Sequence, residues 1–165
     1  MEEPIRNRVA ESGLIQLQLS ELIEIDCVEL DFTSMLHEGQ VVIEKEFRTS
    51  IKGLDVSRYA GKGVGLAVSE EAIIPDWAWM VLTAKLSDSA FVVVGGLSGA
   101  RDEALRRAID NIDLSEYQDR RVIVRGCDKA SGPEALLLFQ TKIQPVAKTI
   151  MFGEACSTVP AYKKK

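Results

Sequence analysis

The sequence predicts an α/β protein: a mainly parallel sheet with helices on both faces, an internal αβαβ duplication, and extra strands at the N-terminus. Three observations lead there. Helical segments alternate with short, all-apolar runs between residues 40 and 153, a pattern that calls for crossover connections between parallel strands. The second half of that region echoes the first at a spacing of 58 residues. The 165-residue chain is 46% hydrophobic, enough to bury the core of a single domain.

The echo is ordered. At the 58-residue spacing, Asp55-Val56-Ser57-Arg58-Tyr59 falls on Asp113-Leu114-Ser115-Glu116-Tyr117, Pro75 on Pro133 and Gly95 on Gly153. Ten identities occur between residues 47 and 95 and their counterparts, against about three expected for ordinary composition. Each half opens with an amphipathic helix, carried by Ile43, Phe47, Ile51 and Leu54 in one and by Leu105, Ile109 and Ile112 in the other. Asp-x-Ser-x-Tyr follows as a turn, because Asp and Ser side chains bond nearby backbone groups. A strand comes next, over Val64–Val68 or Val122–Arg125. A helix then starts at Pro75 or Pro133, where the missing N–H costs nothing, with Asp76 or Glu134 suiting the helix dipole. Phe91–Gly95 and Thr149–Gly153 close the halves as buried strands.

In the first 40 residues, Ile15, Leu17 and Leu19 alternate with polar positions, as do Val28, Leu30 and Phe32. One-sided strands of this kind belong at a sheet edge or in a flanking hairpin. The organisation is therefore one α/β domain over residues 1–165: a strand extension (1–40), two half-repeats (41–96 and 99–154) and a tail (155–165).

The net charge of −5 argues against nucleic acid as a partner, since phosphate binding needs clustered Lys and Arg. The only basic run, Lys163-Lys164-Lys165, reads as a solvated, frayed tail. Met1-Glu2-Glu3 has the wrong charge for a signal peptide, and no stretch is long enough to span a bilayer. The expected location is cytoplasmic. There, the three cysteines are thiols or metal ligands rather than disulfides.

Ligands of open parallel sheets bind beyond the carboxyl ends of the strands. That rule selects a rim holding Cys127, Asp128, Glu154, Cys156 and Ser69, the last of which falls on Cys127 at the repeat spacing. Three kinds of chemistry are open there. A helix N-terminus and Lys129 would lower the pKa of Cys127, making it, or Cys156, the nucleophile of a thiol-dependent enzyme. Two thiolates, completed by Glu154, Asp128 or His37, would form a tetrahedral zinc or iron site, although neither cysteine belongs to a Cys-x-x-Cys pair. Val94-Gly95-Gly96-Leu97-Ser98-Gly99 resembles a phosphate-cradling loop, but its spacing fits no phosphate motif, and a tight strand-to-helix turn explains the glycines as well. Cys27 reads as a core residue.

Trp77 and Trp79, two residues apart on one helix, cannot share a face; core packing is the first reading for them, and a homo-oligomer interface is the alternative. The leading expectation is a small ligand- or metal-binding protein using the two rim thiols. The alternatives are a thiol enzyme and a non-catalytic oligomeric interaction module.

The ending Ile150-Met151-Phe152-Gly153-Glu154-Ala155-Cys156-Ser157-Thr158-Val159-Pro160-Ala161-Tyr162-Lys163-Lys164 is distinctive. With Asn7-Arg8-Val9-Ala10, Ala72-Ile73-Ile74-Pro75-Asp76-Trp77-Ala78 and Gly126-Cys127, it resembles the bacterial domain-of-unknown-function family numbered 2480. The resemblance covers essentially the whole chain. It implies a small cytosolic domain and supplies no activity, cofactor or catalytic residue. Cys127 and Cys156 lie within the segments that carry it.

Overall fold

The computed structural model describes residues 13–126, 132–154 and 157–165. Among these the chain forms seven strands and four α-helices in the order β1 (Leu14–Leu17), β2 (Cys27–Asp31), α1 (Glu44–Gly53), β3 (Gly63–Ala67), α2 (Asp76–Lys85), β4 (Phe91–Val94), α3 (Gly96–Asp110), β5 (Arg121–Val124), α4 (Pro133–Ile143), β6 (Thr149–Glu154) and β7 (Ser157–Lys163). The protein is α/β with mostly parallel pairing.

Its strands make two sheets where the sequence reading has one. One sheet has the order β1-β5-β6-β7 and the other β2-β3-β4. Every pair is parallel except β6–β7. A strand has two edges, and those of β3 are taken by β2 and β4, those of β5 by β1 and β6. The two N-terminal strands therefore form neither a hairpin nor one extension. Each is a parallel edge strand of a different sheet.

The chain divides into two compact units. The four-stranded unit takes the described residues through Ile23 together with Leu105–Lys165, and the three-stranded unit is Glu24–Ala104. The boundary falls inside α3, not between the half-repeats.

Each unit has its own core. In the three-stranded unit α1 buries Phe47 and Ile51, four residues apart, against Phe32, Val64, Ala78 and Leu82. Glu44 and Glu46 in its first turn and Lys52 in its last suit the dipole. In the four-stranded unit Leu19, Leu105, Ile109, Val122, Phe139, Ile143 and Ile150 form the centre. The central strands β3 and β5 are buried almost throughout, as parallel strands covered on both faces must be. On β3, Gly65 meets the start of α3 so closely that a Cβ would stand 1.7 Å from the Gly96 carbonyl oxygen.

The 58-residue spacing carries into backbone geometry. Gly63 pairs with Phe91 and Arg121 with Thr149, the same separation in both sheets. The Gly61 N–H donates to the Asp88 carbonyl and the Asp119 N–H to that of Val146, both at 2.8 Å. Asp55 accepts from the Ser57 N–H at 3.0 Å and Asp113 from the Ser115 N–H at 2.9 Å. Tyr59 and Tyr117 are both buried beyond those turns. The correspondence stops at both ends, since β1 and β2 do not follow it and β7 has no counterpart.

β7 also corrects the reading of the C-terminus as a frayed tail. It pairs antiparallel with β6 from Glu154↔Ser157 to Thr149↔Lys163. Lys164 then donates through its N–H to the Lys148 carbonyl and through Nζ to Asp119 Oδ1, both at 3.0 Å. Pro160 is tolerated because β7 is an edge strand with a register irregularity beside it. Among the described residues no helix is long and apolar enough to cross a membrane.

Two outcomes follow from this packing. Gly65→Ala forces backbone apart and is expected to lower the unfolding free energy by about 3 kcal/mol, read from urea denaturation. Hydrogen bonds from Ser57 and Ser115 hold the Asp55 and Asp113 carboxyls below their usual pKa. A depressed folded-state pKa contributes stability above the unfolded value, about 3.9, which is lost as pH falls through the folded value. The stability gap between wild type and the Asp55→Asn, Asp113→Asn double variant is therefore expected at pH 6 and should close as falling pH takes both carboxyls through their depressed folded-state pKa, below the ordinary value of about 3.9.

Candidate functional site

The carboxyl ends of β5 and β6 lie side by side, with Val124 opposite Phe152 in a parallel register. Beyond β5 the chain is anchored twice at Arg125. Its N–H donates to the Leu17 carbonyl at 2.9 Å, and its Nη2 meets Glu21 Oε1 at 2.6 Å. Gly126 then passes the ring of Phe152, where a Cβ would stand 3.1 Å from two ring carbons. β6 turns at Gly153, whose φ of 122° suits glycine alone, and ends at the exposed Glu154. Cys127, Asp128 and Cys156 lie outside the described residues.

Ser69 does not share this sheet. It follows β3 in the three-stranded unit, where its N–H donates to Thr33 Oγ1 at 3.0 Å and its Oγ accepts from the Glu71 N–H at 3.4 Å. Its expected place on one rim with Glu154 assumed one continuous sheet.

The glycine loop is a capped turn. Gly95 and Gly96 have φ of 114° and 62°, and at Gly99 a Cβ would stand 2.6 Å from the Val94 carbonyl oxygen. At the start of α3, Glu29 Oε2 accepts from the Leu97 N–H at 2.9 Å. A side-chain carboxylate thus occupies the helix end that a phosphate would use.

The remaining singled-out residues are spread apart. Cys27, at the amino end of β2, is half-buried, with Sγ 3.5 Å from the Ala100 carbonyl oxygen. Burial raises its thiol pKa, against an opposing effect of Arg101 and with a smaller raising effect of Asp26. His37 Nδ1 lies 3.0 Å from Glu46 Oε2. Among the described residues no three His, Cys, Asp or Glu side chains gather as a metal site requires. Trp77 and Trp79 straddle the core-facing Ala78, and both pack inward. Trp77 meets Phe47 edge-on at 5.8 Å and Trp79 stacks on Phe32 at 4.9 Å. The exposed apolar residue of α2 is Met80, 74% accessible.

Sequence reasoning missed a groove of about 450 Å³ in the four-stranded unit. It is lined by Val124, Pro133, Leu136, Leu137, Phe139, Gln140, Ile150, Met151, Phe152 and Ala161. One signal for it exists: Leu136-Leu137-Leu138-Phe139 puts apolar groups on more directions of α4 than one buried face can use. A polar cleft of about 320 Å³ in the other unit has its charged groups engaged already. Glu29 caps α3, Asp31 accepts from the Ser34 N–H, and the Arg58 guanidinium sits over the Tyr59 ring.

Fold and site together define a two-sheet α/β protein with an apolar groove at one strand rim. The chain belongs to the family described as protein of unknown function DUF2480, whose match spans residues 3–164. No curated protein and no solved structure matches it.

Glu29→Ala removes the acceptor at the α3 N-terminus and is expected to cost about 1 kcal/mol in urea denaturation, with Glu29→Gln costing less because its carbonyl still accepts.

Proposed function

We propose that this is a small-ligand-binding protein whose site is the carboxyl-end rim of the four-stranded sheet, with the thiols of Cys127 and Cys156 as its working groups. The observation that carries the reading is the pairing of β5 with β6. The segments bearing the two cysteines leave the sheet from hydrogen-bonded parallel neighbours, which run about 4.8 Å apart. Cys127 comes three residues after Val124 and Cys156 four after Phe152, whose positions are paired. The rim position itself is where open α/β sheets take their ligands. Two neighbouring thiolates would supply half of a tetrahedral zinc or iron site, and Glu154 ends the same strand that leads to Cys156.

Phenylarsine oxide, which needs two nearby thiols, tests the pairing. The wild type is expected to take up one equivalent by mass spectrometry, and Cys127→Ser or Cys156→Ser to take up none. Uptake by either single variant equal to that of the wild type, or none by the wild type, would sink the reading. Elemental analysis of protein purified without chelators then separates the uses of the pair. Near-stoichiometric zinc or iron lost in the double variant assigns metal ligands, and absence of metal from both retires the metal reading.

A further inference from the structure

We infer that the groove beside α4 is a binding site for an uncharged, largely apolar small molecule. The inference deepens the ligand-binding reading by naming a chemical class, and it rests on that reading only for the claim that the rim is used. Its evidence comes from comparing the two units at the 58-residue spacing.

Helices α2 and α4 occupy equivalent positions but turn different faces inward. α2 buries Ala78 and Leu82, each 0% exposed. The residues at the same spacing on α4, Leu136 and Gln140, line the open groove instead, and α4 buries Phe139 and Ile143. At 3.6 residues per turn, the core-facing line has moved by roughly 60°. The position of Trp79, whose indole stacks on Phe32, is held in α4 by Leu137, which is 69% exposed. A large ring thus fills space in one unit at a position where the other has a smaller side chain and a cavity.

The lining decides the ligand. None of the described residues lining the groove is charged, and beside these a carboxylate, phosphate or ammonium would lose its water without gaining a counter-ion. Gln140 is the single polar side chain among the described lining residues. Its Nε2 donates to Gln144 Oε1 at 2.8 Å, which leaves its side-chain Oε1 to accept a hydrogen bond from a ligand. The volume, about 450 Å³, falls in the usual range for a small organic molecule.

The test is fluorescence titration of the full chain with the neutral probe N-phenyl-1-naphthylamine. Saturable binding of one probe per chain is expected. Leu137→Glu, which charges the groove, and Ala161→Trp, which fills it, should each weaken binding by about tenfold. Both positions are exposed, so far-ultraviolet circular dichroism and the urea midpoint should not move. Met80→Glu, at an equally exposed apolar residue of the other unit, should bind as the wild type does. Dodecanol should displace the probe and dodecanoate should not. Absence of saturable binding, equal loss in Met80→Glu and Leu137→Glu, or equal displacement by dodecanoate would overturn the inference. The thiol reading is scored separately by phenylarsine oxide, so each can fail alone.

Discussion

The structure depends on a constraint of parallel pairing: neighbouring strands running the same way must be joined by a crossover long enough to hold a helix. Both units meet it identically, with 28 residues from Gly63 to Phe91 and from Arg121 to Thr149. The strand-helix-strand passage puts β3 and β5 at the centres of their sheets, where they are covered on both faces. It also brings the carboxyl ends of β5 and β6 to the same end of the sheet, so that the carboxyl-end rim is a product of the crossover geometry rather than of any residue at the rim. Glycine at position 65 is the local condition for this in the three-stranded unit, because α3 starts directly against β3.

On this common scaffold the two units differ in how the second helix sits. Ala78 lets α2 approach its sheet closely, and Trp77 and Trp79 close the two shoulders against Phe47 and Phe32. Burying an indole contributes more than burying a leucine, so this arrangement favours closure and stability. α4 gives up part of that gain. It seats Phe139 and Ile143, leaving Leu136, Leu137 and Gln140 partly or wholly in the open. An apolar groove left unfilled is a cost to the isolated chain, and binding of an apolar molecule would offset it.

Glu29 illustrates how a motif can be satisfied within the chain. Glycine-rich turns at a strand-to-helix junction collect backbone N–H groups, and such groups attract the nearest anion. Here that anion is a carboxylate from the neighbouring strand arrangement, 68 residues before Leu97. The glycines therefore serve the turn and the close approach of α3.

The sequence by itself determined the order of helices and strands between residues 40 and 153, the parallel pairing of those strands, and the helix starts at Pro133 and just after Pro75, because hydrophobic periodicity and proline chemistry are local. It also determined the Asp-Ser turns at 55–57 and 113–115, whose bonds span only two residues. For the candidate site, it indicated that strand ends carry Glu154 and lead to Cys127 and Cys156. Only the tertiary structure decided that there are two sheets, that β1 and β2 head different ones, and that Ser69 and Glu154 belong to separate units. Strand partnership depends on which edges are already occupied, and no local pattern records that. The groove was illegible for the same reason. Whether Leu137 fills a core or lines an opening depends on a rotation of α4 by part of a turn, and that rotation is set by the fit of Phe139 and Ile143 against residues distant in the chain.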